Sequence, residues 1–184
     1  MKEILFVIWF FLPAGLANSS PIYATRIPIL KKLDTPIDFN IKLGGNILFG
    51  KNKTWRGLIL AIIVGMLVAI IEHIVYANSA SVRSMSTLIN YQQINYLLLG
   101  GLLGAGAIIG DVIESFIKRR LGIKPGNSWF PYDQIDYIIG GCFLSLFVVH
   151  LRFVDYLGIL VIWFLLHIVF SYLGYLIGWK QKPI

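Results

Sequence analysis

Gly110 to Asp136, GDVIESFIKRRLGIKPGNSWFPYDQID, gathers four of the chain's nine acidic residues, Asp111, Glu114, Asp133 and Asp136, beside Lys118, Arg119, Arg120 and Lys124. Read as helix, Asp111, Glu114, Ser115 and Lys118 fall at i, i+3, i+4 and i+7, which is one face. Asp133 and Asp136 stand in the same i, i+3 relation at the start of the next helix. Lys118 lies about 10 Å along the axis from Asp111. Asp136 lies a turn inside its own helix, so carboxylates of both helices can meet at one depth. Carboxylates ringed by cations suit a divalent ion that holds a polyphosphate. The plainer reading is a set of ion pairs at a helix end, Asp111 or Glu114 with Lys118. Carboxylates at membrane depth are costly unless paired or coordinated, which is compatible with both. Hard oxygen donors favour Mg²⁺, which takes one to a few carboxylates and fills its shell with phosphate and water.

The elements that must position these residues are membrane helices. Of 184 residues, 57% are hydrophobic and 14% charged, and the mean hydropathy is +0.76. That is too apolar for a soluble domain of this size. The single cysteine, Cys142, sits in an apolar run and excludes an intramolecular disulfide. The net charge of +7 would suggest nucleic acid in a soluble protein, but here its distribution over loops is what matters, and no nucleic acid partner is expected. Five apolar runs, at about 4–24, 58–77, 97–117, 134–151 and 157–178, each approach the roughly 20 residues a bilayer requires. Together they make one integral membrane domain over 1–184, an all-α polytopic fold with about five transmembrane helices.

Pro13 predicts a kink in the first run. A cleaved signal peptide is the rival reading there, with a small-residue site near Ala17. Glu3 offsets Lys2, and the segment that follows is strongly basic, so retention is expected. In the third run, Gly100, Gly104, Gly106 and Gly110 form two overlapping small-xxx-small patterns that admit a neighbouring backbone.

Cations set the orientation. Loop 26–57 carries Arg26, Lys31, Lys32, Lys42, Lys51, Lys53 and Arg56, the 118–133 hairpin carries four more, and the tail has Lys180 and Lys182. Thirteen of the sixteen thus fall on one side, and Lys2, Arg83 and Arg152 on the other. Five spans with the N-terminus outside and the C-terminus cytoplasmic bring the basic segments together inside. Trp9, Tyr23, Trp55, Tyr76, Trp129 and Trp179 fit interfacial anchoring. A cell-membrane, multi-pass location follows.

Loop 26–57 also holds Gly50-Lys51-Asn52-Lys53-Thr54-Trp55-Arg56-Gly57, three cations and a hydroxyl between glycines, which suits phosphate oxygens as well as simple positive-inside charge. Gly45-x-x-x-x-Gly50-Lys51 nearly matches a P-loop, but Asn52 stands at the Ser/Thr position and no strand–helix context surrounds it. His73, His150 and His167 lie in three different spans without metal-ligand spacing. A structural role is expected for them, with Glu72–His73 as a polar pair on the outer side.

The run Ser115-x-x-Lys118-Arg119-x₄-Lys124, followed by Pro131, Asp133 and Asp136, resembles the signature of CDP-diacylglycerol synthases, the phosphatidate cytidylyltransferases. The likeness is closer to their small relatives, the CDP-archaeol synthases (CDP-2,3-bis-(O-geranylgeranyl)-sn-glycerol synthases), in size, in five-span layout, in GKNKTWRG at 50–57 and in the 110–136 stretch. The resemblance implies transfer of CMP from CTP to an isoprenoid ether glycerol phosphate, with Mg²⁺, releasing pyrophosphate in phospholipid biosynthesis. The larger acyl-specific enzymes have Lys-Asp where this chain has Lys124-Pro125, and an HGG segment that is absent here, so the diacyl substrate becomes the alternative.

By the same resemblance, Asp111, Asp133 and Asp136 are metal ligands, and Lys118, Asp133 and Asp136 are the catalytic residues. Substrate contacts are implied at Lys51, Lys53, Thr54, Trp55, Arg56, Ser115, Arg119, Lys124 and Asn127. Glu114 is left open as a substrate contact, a direct ligand or a carboxylate behind the ligands. The partners are CTP, a lipid glycerol phosphate and membrane lipids, with a homodimer left open. Two other classes compete. A small carrier with an intramembrane carboxylate ion site should show inverted repeats, and none is seen. A scaffold binding anionic lipid through its basic loops leaves Asp111, Asp133 and Asp136 without a purpose.

Overall fold

A computed structural model describes residues 2–24, 27–44, 46–86 and 88–178, apart from the side chains of Lys31 and Asn46. Arg26, Gly45, Trp179, Lys180 and Lys182, used above, lie outside the described residues. The chain is helical: α1 (Lys2–Ala24), α2 (Trp55–Asn78), the short α3 (Ala80–Met85), α4 (Tyr96–Arg120), α5 (Tyr132–Ser145) and α6 (Phe153–Leu176). Four of them, α1, α2, α4 and α6, are long and apolar enough to cross a membrane. Their outward faces are apolar too. Ile63, Leu67, Ile71 and Ile74 form an exposed stripe on α2, and Val161, Leu165, Val169 and Tyr172 form one on α6. A water-soluble bundle would not display such stripes, whereas lipid tails cover them at no cost.

Helix ends follow local chemistry. Thr54 caps α2, its hydroxyl accepting from the Gly57 N–H at 3.3 Å. Asn95 caps α4 by accepting from the Leu98 N–H at 3.0 Å. At the start of α6, the Asp155 carboxylate accepts from both the backbone and the guanidinium of Arg152. Arg152 also reaches Glu3 at 3.5 Å, which puts the start of α6 beside the start of α1.

The core lies where α1, α4, α5 and α6 meet. Phe6, Phe10, Phe11, Leu103, Tyr137, Ile138 and Ile159 are buried there with Trp163. The Trp163 indole N–H donates to the Val7 carbonyl at 3.1 Å, and the Tyr137 hydroxyl donates to the Trp163 carbonyl at 3.2 Å. Polar atoms in an apolar core need such partners.

The glycines of α4 divide between two neighbours. A Cβ at Gly100 or Gly104 would strike the backbone of Gly65 or Ala61 on α2, and one at Gly106 or Gly110 would strike Gly140 or Asp136 on α5. Both helices therefore lie against α4 backbone to backbone. The second contact sets the depth of α5. Its first turns pack at Gly110, ten residues before the end of α4, rather than at that end.

This explains the main difference from the sequence reading. The segment expected at 134–151 is a 14-residue helix, 132–145, about 21 Å long against a hydrocarbon core of about 30 Å. Residues 121–131 carry irregular backbone inward to meet it, and 146–152 complete the path to Arg152. Irregular backbone at that depth is tolerated where it lines a cavity.

Loop 27–54 is folded as well. A 3₁₀ turn (Pro28–Leu33) precedes two short antiparallel strands, β1 (Lys42–Leu43) and β2 (Asn46–Ile47), which pair Lys42 with Ile47 and Leu43 with Asn46. Asp38, buried, accepts from the N–H groups of Asn40 and Phe49 at 3.0 and 2.9 Å. Arg120, at the end of α4, donates to the carbonyls of Leu43 and Ile47 at 2.8 and 2.9 Å. The Phe49 ring meets Phe116 edge-on. The loop is thereby fastened over the end of α4.

Candidate functional site

Oxygens of Asp111, Glu114 and Asp136 lie within 4.8 Å of one another. Asp111 and Glu114 come from one face of α4, and Asp136 arrives because Gly110 lets the α5 backbone press against the turn that carries Asp111. The convergence read from the spacing is what the packing delivers. Asp133, one turn earlier, is engaged otherwise. Its Oδ1 accepts from Lys118 Nζ at 2.6 Å and its Oδ2 from the Trp129 N–H at 2.7 Å. Of the three ligands expected, Asp111 and Asp136 thus stand together with Glu114, the residue left open, and Asp133 holds Lys118 in place.

Cations close the site from two directions. Lys53 Nζ is 2.6 Å from both carboxylate oxygens of Asp111, so the fastened loop lays the GKNKTWRG segment directly over the acids. Lys118, buried, bonds Asp133 and stands 3.3 Å from Glu114 Oε1. That second contact is an i, i+4 ion pair. Arg119 is buried, and its Nε and Nη1 have no hydrogen-bond partner among the described residues. Buried donors beside a cavity call for an acceptor, water or a ligand oxygen.

A cavity of about 310 Å³ opens among them. Lys51, Asn52 and Lys53 form one wall, Glu114, Ser115, Lys118 and Arg119 another, and Gly126, Asn127 and Ser128 of the inward-running loop a third. A second cavity, of about 580 Å³, shares Asp111, Asp133 and Asp136 with the first but reaches toward α1 and α2. Thr54 and Arg56 border this second space, and Arg56 pairs with Asp34 at 2.9 Å. Two expected contacts line neither. Lys124 is exposed in its loop, and Trp55 begins α2 with its side chain partly exposed.

The histidines stand apart from this site. His73 Nδ1 lies 3.1 Å from the Tyr91 carbonyl and its ring stacks on Tyr96, His150 is exposed, and His167 lies beside the Tyr137 ring. No hydrogen bond joins Glu72 to His73, since successive helix positions point about 100° apart. The Tyr91 phenol, outside the helices, is pushed well above its ordinary pKa by burial and then by the neighbouring Glu72 charge. Asn18, Asp34 and Ser128 border the cavities without having been picked out from the sequence. A lone amide or hydroxyl in an apolar helix or a loop carries no spacing signal.

A family model described as CarS-like, CDP-archaeol synthase, matches residues 1–184. The chain belongs to the CDP-archaeol synthase family. Similar proteins include the CDP-archaeol synthases of Pyrococcus furiosus, 34% identical over 100% of this chain and 99% of that protein, and of Thermococcus gammatolerans, 32% identical over 100% and 98%. That of Saccharolobus islandicus is 33% identical over 98% of this chain and 96% of its own. A solved structure of an intramembrane enzyme for archaeal membrane lipid biosynthesis superposes with a TM-score of 0.70 at 25% identity, covering 91% of this chain and 94% of that one. Membership in the CDP-archaeol synthase family makes the chain a multi-pass membrane enzyme, and it sets aside the carrier and the scaffold.

Proposed function

We propose that this enzyme moves CMP from CTP to an isoprenoid ether glycerol phosphate, giving a CDP-lipid and pyrophosphate at the cytoplasmic face of the cell membrane. The observation that carries the reading is the meeting of Asp111, Glu114 and Asp136 beneath Lys53, Lys118 and Arg119 in one polar cavity. Its relatives bear the matching name over their whole length.

The donor set fits a divalent cation. Three carboxylates converge and all donors are hard oxygens. Asp111, Glu114 and Asp136 would hold Mg²⁺, which supplies charge neutralisation and alignment for a triphosphate. Everything else falls to the chain. A lipid phosphate oxygen is ionised at neutral pH and needs no strong base, so the task is positioning and charge. Lys118, fixed by Asp133, and Arg119, with two free donors, face the phosphates from α4, and Lys51 and Lys53 face them from the loop. Asn127 and Ser128 line the side where the rest of the nucleotide can sit. An oxygen of the lipid phosphate bonds to the α-phosphorus, the bond to the β-phosphate breaks, and pyrophosphate leaves with the electron pair. No net proton is required.

The test is pyrophosphate release by the purified protein with Mg²⁺, CTP and a dialkyl or a diacyl glycerol phosphate. Release that needs both CTP and the ether acceptor supports the reading. Release without lipid would indicate a hydrolase, and preference for the diacyl acceptor would move the substrate to the ester class.

A further inference from the structure

Residues 38–43, Asp-Phe-Asn-Ile-Lys-Leu, alternate polar and apolar side chains in the middle of the basic loop. Alternation of this kind predicts that the apolar set is covered. No part of the described chain covers it. Phe39, Ile41 and Leu43 are 64%, 57% and 52% exposed. The β1–β2 ladder continues to Ile41, whose carbonyl accepts from the Leu48 N–H at 3.1 Å, so Ile41 and Leu43 lie on one side of the strand.

The backbone is held in a costly shape to present this edge. Phe39 and Asn40 have φ of +48° and +63°. Asn accepts that region readily, whereas for a bulky aromatic it is an outlier that persists only where its surroundings enforce it. Asp38 enforces it by accepting from the N–H groups of Asn40 and Phe49. The N–H groups of Phe39 and Ile41 add bonds to the carbonyls of Pro36 and Asp38. A polar residue at 39 would avoid the strain and the exposure together.

The level of the edge in the bilayer follows from α4. Gly104 lies against Ala61 and Gly100 against Gly65, so the antiparallel helices bring Gly110 level with Trp55, where α2 starts. Beyond that level α4 continues for ten residues, about 15 Å. Its outer side stays apolar throughout, since Ile109, Ile113, Ile117 and then Leu121, four residues apart, are all exposed. Lipid contact therefore reaches the end of α4. Arg120 fastens the β1–β2 hairpin at that end through the Leu43 and Ile47 carbonyls, which puts the hairpin at the membrane boundary. Charge selects the lipid. Lys32, Lys42 and Lys51 are exposed in this loop, whereas Asp34 is paired with Arg56 and Asp38 is buried. A basic surface with an apolar edge, beside a bilayer, suits anionic headgroups.

We propose that the β1–β2 hairpin docks on an anionic lipid surface, with Phe39, Ile41 and Leu43 entering the boundary between headgroups and tails. Lys42, on the other side of the strand, reaches headgroup phosphates along its flexible stem. The docked hairpin steadies the segment that follows it, from Phe49 against Phe116 to Lys53 over Asp111.

The test places the fluorophore NBD on Leu43→Cys in the full chain carrying Cys142→Ser, reconstituted into phosphatidylcholine vesicles with or without phosphatidylglycerol. Nitroxide-bearing lipids should quench the probe and aqueous iodide should not, and both effects should be stronger with phosphatidylglycerol. Adding Lys42→Gln should lower the docked-to-free ratio about fivefold in the anionic vesicles and leave it unchanged in the neutral ones, the weight of one lysine near a charged surface. A probe open to iodide in both vesicles overturns the proposal, because the edge then stands in water. A probe shielded from iodide and lipid nitroxide alike also overturns it, because a protein, whether a second copy or another chain, then covers the edge. Equal quenching in the two vesicles overturns anionic lipid as the occupant. None of these readouts needs turnover, so they stand or fall apart from CMP transfer.

Discussion

Asp133 and Asp136 are one helical turn apart and chemically identical, yet their neighbours give them different work. Asp136 joins Asp111 and Glu114 in the donor set, whereas Asp133 is bonded to Lys118 and to the Trp129 N–H. Substituting either by Asn keeps size and polarity. Each change should lower turnover by at least about 100-fold, since even residues behind a metal's ligands cost 10- to 100-fold. The two losses separate on Mg²⁺ titration. Asp136→Asn should shift the activating concentration upward and recover part of its rate at high Mg²⁺, and Asp133→Asn should not. Equal Mg²⁺ dependence for both would refute the division of labour. Lys118→Ala should slow the step by about 10²- to 10³-fold, the loss expected for one electrostatic stabiliser of developing charge. His73→Ala should leave the rate nearly unchanged, because its contacts are Tyr91 and Tyr96. The helical face of Asp111, Glu114, Ser115 and Lys118 was legible because a period of 3.6 needs no tertiary information. The role of Glu114 was not, because it depends on a second helix bringing Asp136 within reach of Glu114 and Asp111.

At the scale of elements, α4 is the reference against which the others are placed, and its glycines do the placing. The overlapping small-residue pattern was legible in the sequence. What it leaves unsaid is that Gly100 and Gly104 face one helix while Gly106 and Gly110 face another. That split follows from the angle between positions on a helix once two neighbours are present. The shortness of α5 was hidden for the same reason. An apolar run of the right length reads as a full span, and nothing in 134–151 announces that its helix starts deep against Gly110. Gly110→Ala should therefore act on both stability and the site. The added Cβ has only the backbone of Asp136 and Tyr137 to push against, and overpacking of that kind costs about 1–3 kcal/mol. It also drives Asp136 from Asp111, so Mg²⁺ should protect the variant less against thermal unfolding in detergent. Gly158→Ala is the control. Its Cβ would meet Val7 at an ordinary 3.5 Å, and replacing a helical glycine should leave stability equal or slightly raised. If Gly110→Ala unfolds and responds to Mg²⁺ as Gly158→Ala does, close approach of α5 is not what assembles the donors.

For the whole molecule, the segregation of charge and the position of the site make one argument about sidedness. Thirteen of the sixteen Lys and Arg residues lie in the first long loop, the 118–133 hairpin and the tail, and both cavities lie where that loop and hairpin meet. Arg152 and Glu3 pair at the start of α6 and α1, and Arg83 sits on α3 beyond the far end of α2. The bias in cations predicts a cytoplasmic site, and the cytoplasm is the compartment that supplies CTP. Impermeant thiol labelling in intact cells checks this on a chain carrying Cys142→Ser. Lys42→Cys and Ser128→Cys report the site end, and Ser84→Cys reports the other; all three positions are exposed. Ser128 is a better reporter than its neighbour Gly126, whose φ of +85° disfavours any side chain. Ser84→Cys should be labelled at once, and the other two only after the membrane is opened. Labelling of Ser128→Cys from outside would reverse the orientation, and a site facing away from the cytoplasm would have no source of nucleotide.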